Sequence, residues 1–202
     1  MAINYYQPNK ELEIADNIFK TTIDGLYYIR YKKFIDQRGF FSQILEPERI
    51  RAAGINPHFQ IKQVNLSVSK DKITRGIHSE GWNKLITIVA GHAFCALADV
   101  RRNSPTYKNV AYFDFIADPN QKWGESLYIS KKIGNSLCVI KGPVYYLYGV
   151  DLLYNERDQK DDLAISILDP DINISWPFTR EEMIISERDL NSITLKELSQ
   201  ES

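Results

Sequence analysis

Three histidines limit the acid–base chemistry open to this chain, and one of them stands in a setting that suggests chemistry. His78 lies in Arg75-Gly76-Ile77-His78-Ser79-Glu80, three residues after an arginine and two after a glycine. His58, in Asn56-Pro57-His58, belongs to a loop, and His92 follows Gly91 in an expected hairpin turn. An imidazole titrates near neutral pH, so it can take a proton from a carbon acid or ligate a metal. The metal reading is weak. A His-x-His barrel site would need a second histidine at position 80 and another late in the chain; position 80 is Glu, and no histidine follows position 92. Taken alone, the residues leave His78 as either a base or a hydrogen-bonded core histidine.

Carboxylates and phenols are the candidate partners. Asp169, in Leu168-Asp169-Pro170-Asp171, ends an apolar strand pattern. There it could hold a histidine ring in one tautomer and raise its basicity, or it could merely cap an Asp-Pro turn. In Tyr145-Tyr146-Leu147-Tyr148, alternation puts Tyr146 and Tyr148 on one strand face. They either deliver a phenolic proton into a pocket or pack a barrel. Cys95 and Cys138 sit inside apolar runs, which predicts free buried thiols and a reducing cytoplasm.

The elements that must position these groups are mostly strands. Period-two patterning predicts strands at 26–34, 85–90, 93–101, 110–116, 126–129, 136–141, 144–150 and 163–168. Turn signals fall at Gly91-His92, Asn103-Ser104-Pro105, Asp118-Pro119-Asn120, Gly142-Pro143 and Asp169-Pro170. Many short strands so punctuated imply an all-β sandwich or barrel. In Ile61-Lys-Gln-Val-Asn-Leu-Ser-Val-Ser69, one face carries Val64, Leu66 and Val68 and the other Gln63, Asn65 and Ser67. The second face is polar but uncharged, so it either lines a wet pocket or is an ordinary solvent face. Helices are minor: one near 46–53, stopped by Gly54, and a short one near 186–190, where Ser186-Glu-Arg-Asp189 looks like a capping box.

The bulk properties narrow the class. The 202 residues fit one domain, 1–202, with 25 Lys+Arg against 26 Asp+Glu. That balance leaves no basic surplus for a phosphate backbone and argues against nucleic acid. The N-terminus has no apolar core of signal-peptide length, and no run approaches the roughly 18 apolar residues a membrane span needs.

Several segments occur in order. They are Phe34-x-Asp36-x-Arg38-Gly39-Phe40-Phe41, Gln63-Val-Asn65-Leu-Ser67, Arg75-Gly-Ile-His78, Lys84-Leu85 and Asp99-Val-Arg101-x-x-Ser104-Pro-Thr106. Asp169-Pro-x-Ile172-x-Ile174-x-Trp176-Pro177 and Ser186-Glu-Arg-Asp189 follow. Each is weak alone; their ordered sum, over roughly residues 20 to 190, strongly resembles the dTDP-4-dehydrorhamnose 3,5-epimerase family. The resemblance implies a cupin-like double-stranded β-helix (jelly-roll) barrel with a few short helices. It also implies a homodimer with an exchanged N-terminal strand, a nucleotide-sugar substrate, and no metal or organic cofactor. Residue by residue, it makes His78 the base beside the C4 ketone, Asp169 its orienting carboxylate, Tyr148 the general acid and Lys84 the cation near the ketone oxygen. Arg75 and Asn65 would hold pyrophosphate and sugar, with Gln63 in the same segment. Arg38 and Phe41 would meet the base across the dimer, and Tyr154 would stack near it.

The chain also departs from the family pattern. Ser79 and Glu80 follow the histidine where an aromatic residue and a glutamine are common, and the stretch from His78 to Lys84 is short. Lys132-Ile-Gly134-Asn135-Ser136 places Asn135 where the family has a histidine, and Gln43 replaces a glutamate. An amide at 135 can bond a substrate hydroxyl but cannot shuttle a proton at neutral pH. A branch acting on GDP-linked 4-keto-6-deoxyheptoses looks similar in its Gly-Asn segment and short loop. The expected function is inversion at C3, C5 or both of a nucleotide-linked 4-keto-6-deoxy sugar. Competing readings are a sugar 3,4-ketoisomerase, which commonly uses a histidine pair, and a non-catalytic nucleotide-sugar-binding barrel.

Overall fold

The computed structural model describes residues 3–199. In chain order the strands are β1 (Glu13–Ala15), β2 (Ile18–Lys20), β3 (Leu26–Asp36), β4 (Gly39–Ser42), β5 (Gln63–Ser69), β6 (Ile73–Ser79), β7 (Lys84–Ala98) and β8 (Val110–Ile116). They continue with β9 (Trp123–Ile129), β10 (Gly134–Val150), β11 (Leu163–Ala164) and β12 (Ile184–Ile185). The α-helices are short: α1 (Pro47–Ala52), α2 (Glu187–Leu190) and α3 (Leu195–Leu198). The all-β expectation holds. Among the described residues no helix is long and apolar enough to cross a membrane.

Two long strands organise the sheet. Residues 84–87 of β7 pair with β9, and its residues 92–98 pair with β8. β10 runs antiparallel to β7 over both stretches; its residues 144–150 also pair with β5, and its residues 134–138 with β6. Each long strand therefore serves two sheets. The predicted turns at Gly91-His92 and Gly142-Pro143 are bends inside these strands: both strands turn the same corner, and their pairing shifts register there, from Lys141 opposite His92 to Tyr145 opposite Ala90. Gly91 is required there: its φ is +88°, and a Cβ would stand 2.6 Å from the Pro143 carbonyl oxygen. His92 accordingly lies within β7, its Nε2 2.5 Å from Asp114 Oδ1. The strand expected at 163–168 is shorter. After Ala164, Ile165 exchanges backbone hydrogen bonds with Ile77, and the chain then leaves the sheet.

Alternation fills the space between the sheets with Leu26, Ile86, Leu97, Phe113, Leu127, Ile129 and Val139, all buried. Burying one such side chain contributes about 1.5–3 kcal/mol, so this core fixes the wall on which the site is built. A second core forms outside the β6–β7–β10 sheet, where the C-terminal segment lays Ile165, Ile167, Ile172, Ile174, Met183 and Leu195 against Ile77, Phe94 and Cys138. That packing carries α2 back to β6. Cys95 and Cys138 are free and buried.

Candidate active site

A cavity of about 260 Å³ opens where β5, β6 and the ends of β7 and β10 converge. β5 supplies Ser67, β6 Arg75 and His78, β7 Lys84, and β10 Asn135, Tyr146 and Tyr148; Glu80 enters from the short loop after β6. The alternation of β5 is thus resolved. Its polar face turns inward, partly buried, with Ser67 on the cavity, while Val64, Leu66 and Val68 are 54%, 56% and 49% exposed.

His78 does not meet Asp169. Its Nε2–H donates to Asp189 Oδ1 at 2.7 Å, and Asp189 Oδ2 accepts from the Gly76 amide at 3.3 Å. Asp169 instead closes a turn. Its Oδ1 accepts from the amides of Asp171 (2.8 Å) and Ile172 (2.9 Å), and its Oδ2 from Leu195 (2.6 Å), the first residue of α3. Three backbone donors hold that buried carboxylate where it is, so the expectation for Asp169 is corrected. Asp189 is the residue that sequence reasoning missed. Ser186 Oγ does cap α2 by accepting from the Asp189 amide at 3.2 Å, but the Asp189 side chain turns to His78 instead of back to the cap. The signal was present, since Ser186-Glu-Arg-Asp189 is one of the ordered segments of the resemblance.

The geometry explains the Arg-Gly-Ile-His spacing. Gly76 has φ +116°, and a Cβ there would lie 2.7 Å from the Asn135 carbonyl oxygen. β6 can press against β10 at this point only without a side chain, and the same residue presents its amide to Asp189. Burial pushes the Asp189 carboxyl up. The His78 hydrogen bond and charge, with the Gly76 amide and Ser186, outweigh it and hold the group below its usual range. With Nε2 engaged by the carboxylate, Nδ1 is the ring nitrogen left for proton transfer.

The other cavity groups are arranged around this dyad. Asn135 is the β10 residue opposite His78; its amide donates to the Tyr146 hydroxyl at 3.0 Å, and its Oδ1 is buried without a protein partner. Tyr146 and Tyr148 share a strand face, their rings 5.6 Å apart. Burial, reinforced by the Glu80 charge, raises the Tyr148 phenol above its ordinary value of 10.0, so it is a neutral proton donor at physiological pH. Lys84 reaches the cavity despite the short loop, and its ammonium is ion-paired to Glu80.

Five expected binding residues stand off the cavity wall. Gln63 donates to Asn65 Oδ1 at 2.6 Å and accepts from the Tyr154 amide at 2.9 Å, which ties β5 to the loop after β10. Asn65 Nδ2 is buried without a protein partner. Tyr154 is exposed. Arg38 and Phe41 lie on the β3–β4 hairpin, Arg38 in a 2.6 Å ion pair with Asp36 and Phe41 65% exposed. Within one chain, the structure does not bring them to the cavity.

A base–carboxylate dyad, a neutral phenol and a lysine around one cavity in an antiparallel barrel define a class: enzymes that move protons on and off carbon. Comparison with known proteins narrows it. The family model for dTDP-4-dehydrorhamnose 3,5-epimerase matches residues 20–197, and the chain belongs to that family. It is 30% identical to a dTDP-4-dehydrorhamnose 3-epimerase of Streptomyces niveus, over 87% of this chain and 82% of the relative. The solved 4-keto-6-deoxy sugar epimerase from the novobiocin gene cluster of Streptomyces spheroides superposes with a TM-score of 0.80 at 28% identity, covering 91% of this chain and 89% of that one. An epimerase of Legionella pneumophila, solved with dTDP-4-keto-L-rhamnose, gives 0.79 at 26% identity, covering 92% and 95%. The chain is therefore an isomerase, a nucleotide-sugar epimerase of the cupin type.

Proposed function

We propose that this chain inverts C3, C5 or both of a 4-keto-6-deoxy sugar carried on a nucleoside diphosphate, with dTDP, the nucleotide of its relatives, as the first candidate. The observation that carries the reading is the His78–Asp189 dyad sharing one cavity with Tyr148. A C–H beside a ketone is acidic because the carbanion delocalises onto the carbonyl oxygen. His78 removes that proton, and Asp189 stabilises the imidazolium that forms. Lys84 stabilises charge developing on O4, where stabilisation acts mainly on the transition state and enolate. Tyr148 returns a proton to the opposite face and inverts the centre. Asn135 Oδ1 and Arg75 are assigned to a sugar hydroxyl and the pyrophosphate.

The residue facing His78 argues against the 3,4-ketoisomerase. Passing a proton along one side of the ring needs a second carrier, and the neighbour across the ladder is Asn135, which carries none at neutral pH. A binding barrel without activity has no use for a buried carboxylate held against an imidazole.

The reading includes a homodimer with an exchanged N-terminal strand. Phe34, Ile35, Phe40 and Phe41 on the β3–β4 hairpin are 51%, 47%, 45% and 65% exposed, and the outer face of β5 is apolar. Neighbouring exposed apolar side chains of this kind mark interaction surfaces. In a dimer the hairpin would carry Arg38 and Phe41 toward the partner's nucleotide, beside Tyr154. Free buried thiols at Cys95 and Cys138 fit a reducing cytoplasm.

The test is incubation with dTDP-, GDP- and CDP-linked 4-keto-6-deoxy sugars in D₂O, following deuterium at C3 and C5 by NMR. Incorporation is expected with at least one of them, and its position gives the regiochemistry. No incorporation with any of the three would overturn the proposal.

A further inference from the structure

Behind Lys84 lies a charge network that the roles above do not use. Glu80 shares its carboxylate between two cations: Oε2 takes the Lys84 ammonium, and Oε1 takes Arg157 Nη1 at 3.1 Å. The other arm of the same guanidinium, Nη2, reaches Asp162 Oδ2 at 3.0 Å. The Arg157 side chain is only 8% exposed although it comes from the loop after β10. Its plane is enclosed by aromatic rings, 4.3 Å from the centroid of Trp82 and 4.7 Å from that of Tyr154. Two cations and two carboxylates balance, so the network adds no net charge beside the sugar.

We propose that Arg157 is a positioning residue for the epimerisation: it fixes Glu80, which anchors the Lys84 ammonium at the cavity wall, and it backs the Tyr154 ring on which the nucleotide base would rest. The inference rests on the function proposed above. Its physical basis is the shape of the side chain. A planar guanidinium can form two in-plane ion pairs at right angles to the stacking direction, whereas an ammonium has no plane to stack. Glu80 alone could follow the flexible Lys84 into several positions, because Lys ion pairs set few geometric limits. Held from behind by Arg157, it presents Lys84 from one place. Burial pushes the Glu80 carboxyl up, but Lys84, His78 and Arg157 together hold it below its usual range and so keep it ionised. Arg157 thereby connects the place where enolate charge develops with the nucleotide platform, and one loop sets both.

The test is a double-mutant cycle on exchange kinetics with dTDP-4-keto-6-deoxyglucose, using Arg157→Gln, Glu80→Gln and the pair. Arg157→Gln is expected to lower kcat about 10- to 100-fold, the range for a misplaced catalytic group, and to raise KM as Tyr154 loses its backing. If Arg157 acts through Glu80, the double variant has the kcat of Glu80→Gln alone. Arg157→Lys is expected to restore part of kcat, through the ion pair, and none of the KM. Multiplicative losses in kcat, or a wild-type kcat in Arg157→Gln, would overturn the proposal. A second readout is independent of turnover: the rate of Lys84 acetylation by an N-hydroxysuccinimide ester, followed by mass spectrometry. Arg157→Gln, or Arg157→Met if the first does not fold, should raise it several-fold, and an unchanged rate counts against the network. Should the wild type exchange no substrate, the functional reading fails while the labelling still reports on Arg157.

Discussion

The imidazole of His78 and the carboxylate of Asp189, 111 residues apart in the chain, meet at 2.7 Å because the C-terminal segment packs its isoleucines on the outer face of the sheet and returns α2 to β6. Asp169, on the same segment, points elsewhere and holds the turn that leads to α3. The two aspartates are thus separable by experiment.

Asp189→Asn should lower the exchange rate at least about 100-fold, the lower range for losing an acid–base partner, with KM little changed. Asp169→Asn should leave the chemistry nearly intact and cost about 1–3 kcal/mol of stability, since an amide replaces a charged acceptor of three backbone bonds. Rates by NMR and urea midpoints measure both. The opposite pattern would restore Asp169 as the partner of His78.

Tyr148→Phe separates abstraction from inversion. With the phenol gone, His78 can still remove a proton and return deuterium to the same face. Deuterium incorporation should therefore persist, while inverted product falls by about 100-fold or more. Equal loss of both would place Tyr148 in binding instead.

The acid limb of stability has a sign that follows from the shifts. Asp189 and Glu80 are both depressed in the folded protein, from ordinary values of 3.8 and 4.5. Their contribution is fully present above those ordinary values and is lost as pH falls through the lower folded ones. Glu125 has the opposite sign: burial raises it above 4.5, so its charge costs stability at neutral pH and the cost disappears on acidification. Glu125→Gln should raise the urea midpoint at pH 7 and lose that advantage as the medium is made acidic. Asp189→Asn should flatten the fall in stability below about pH 4.

A dimer through the apolar outer surface makes Leu66→Glu informative, because that side chain is exposed in the single chain. The substitution should leave the fold intact, within about 0.5 kcal/mol, and shift the chain to monomer in analytical ultracentrifugation. Unchanged association would place the interface elsewhere.

Much of the scaffold is legible in the sequence. Period-two alternation gave β8 at 110–116 as observed, and it separated the two faces of β5, because strand geometry sends neighbouring side chains to opposite sides. The corners did not read as corners. Gly91 and Gly142-Pro143 carry turn signals, yet both lie inside continuous strands, since the signal reports a local bend and only the partner strand decides whether the ladder continues.

The site divides in the same way. Residue type and setting singled out His78, and the resemblance carried by the ordered segments singled out Lys84, Tyr148 and Asn135; all four line the cavity. What spacing could not decide was which of two distant aspartates meets the histidine. Asp-Pro and Ser-x-x-Asp are both capping sequences locally, and the choice depends on how the C-terminal segment packs over the sheet. Chemistry was written in single residues; the pairing of His78 with Asp189, and of Glu80 with Arg157, was settled by long-range packing that no local pattern encodes.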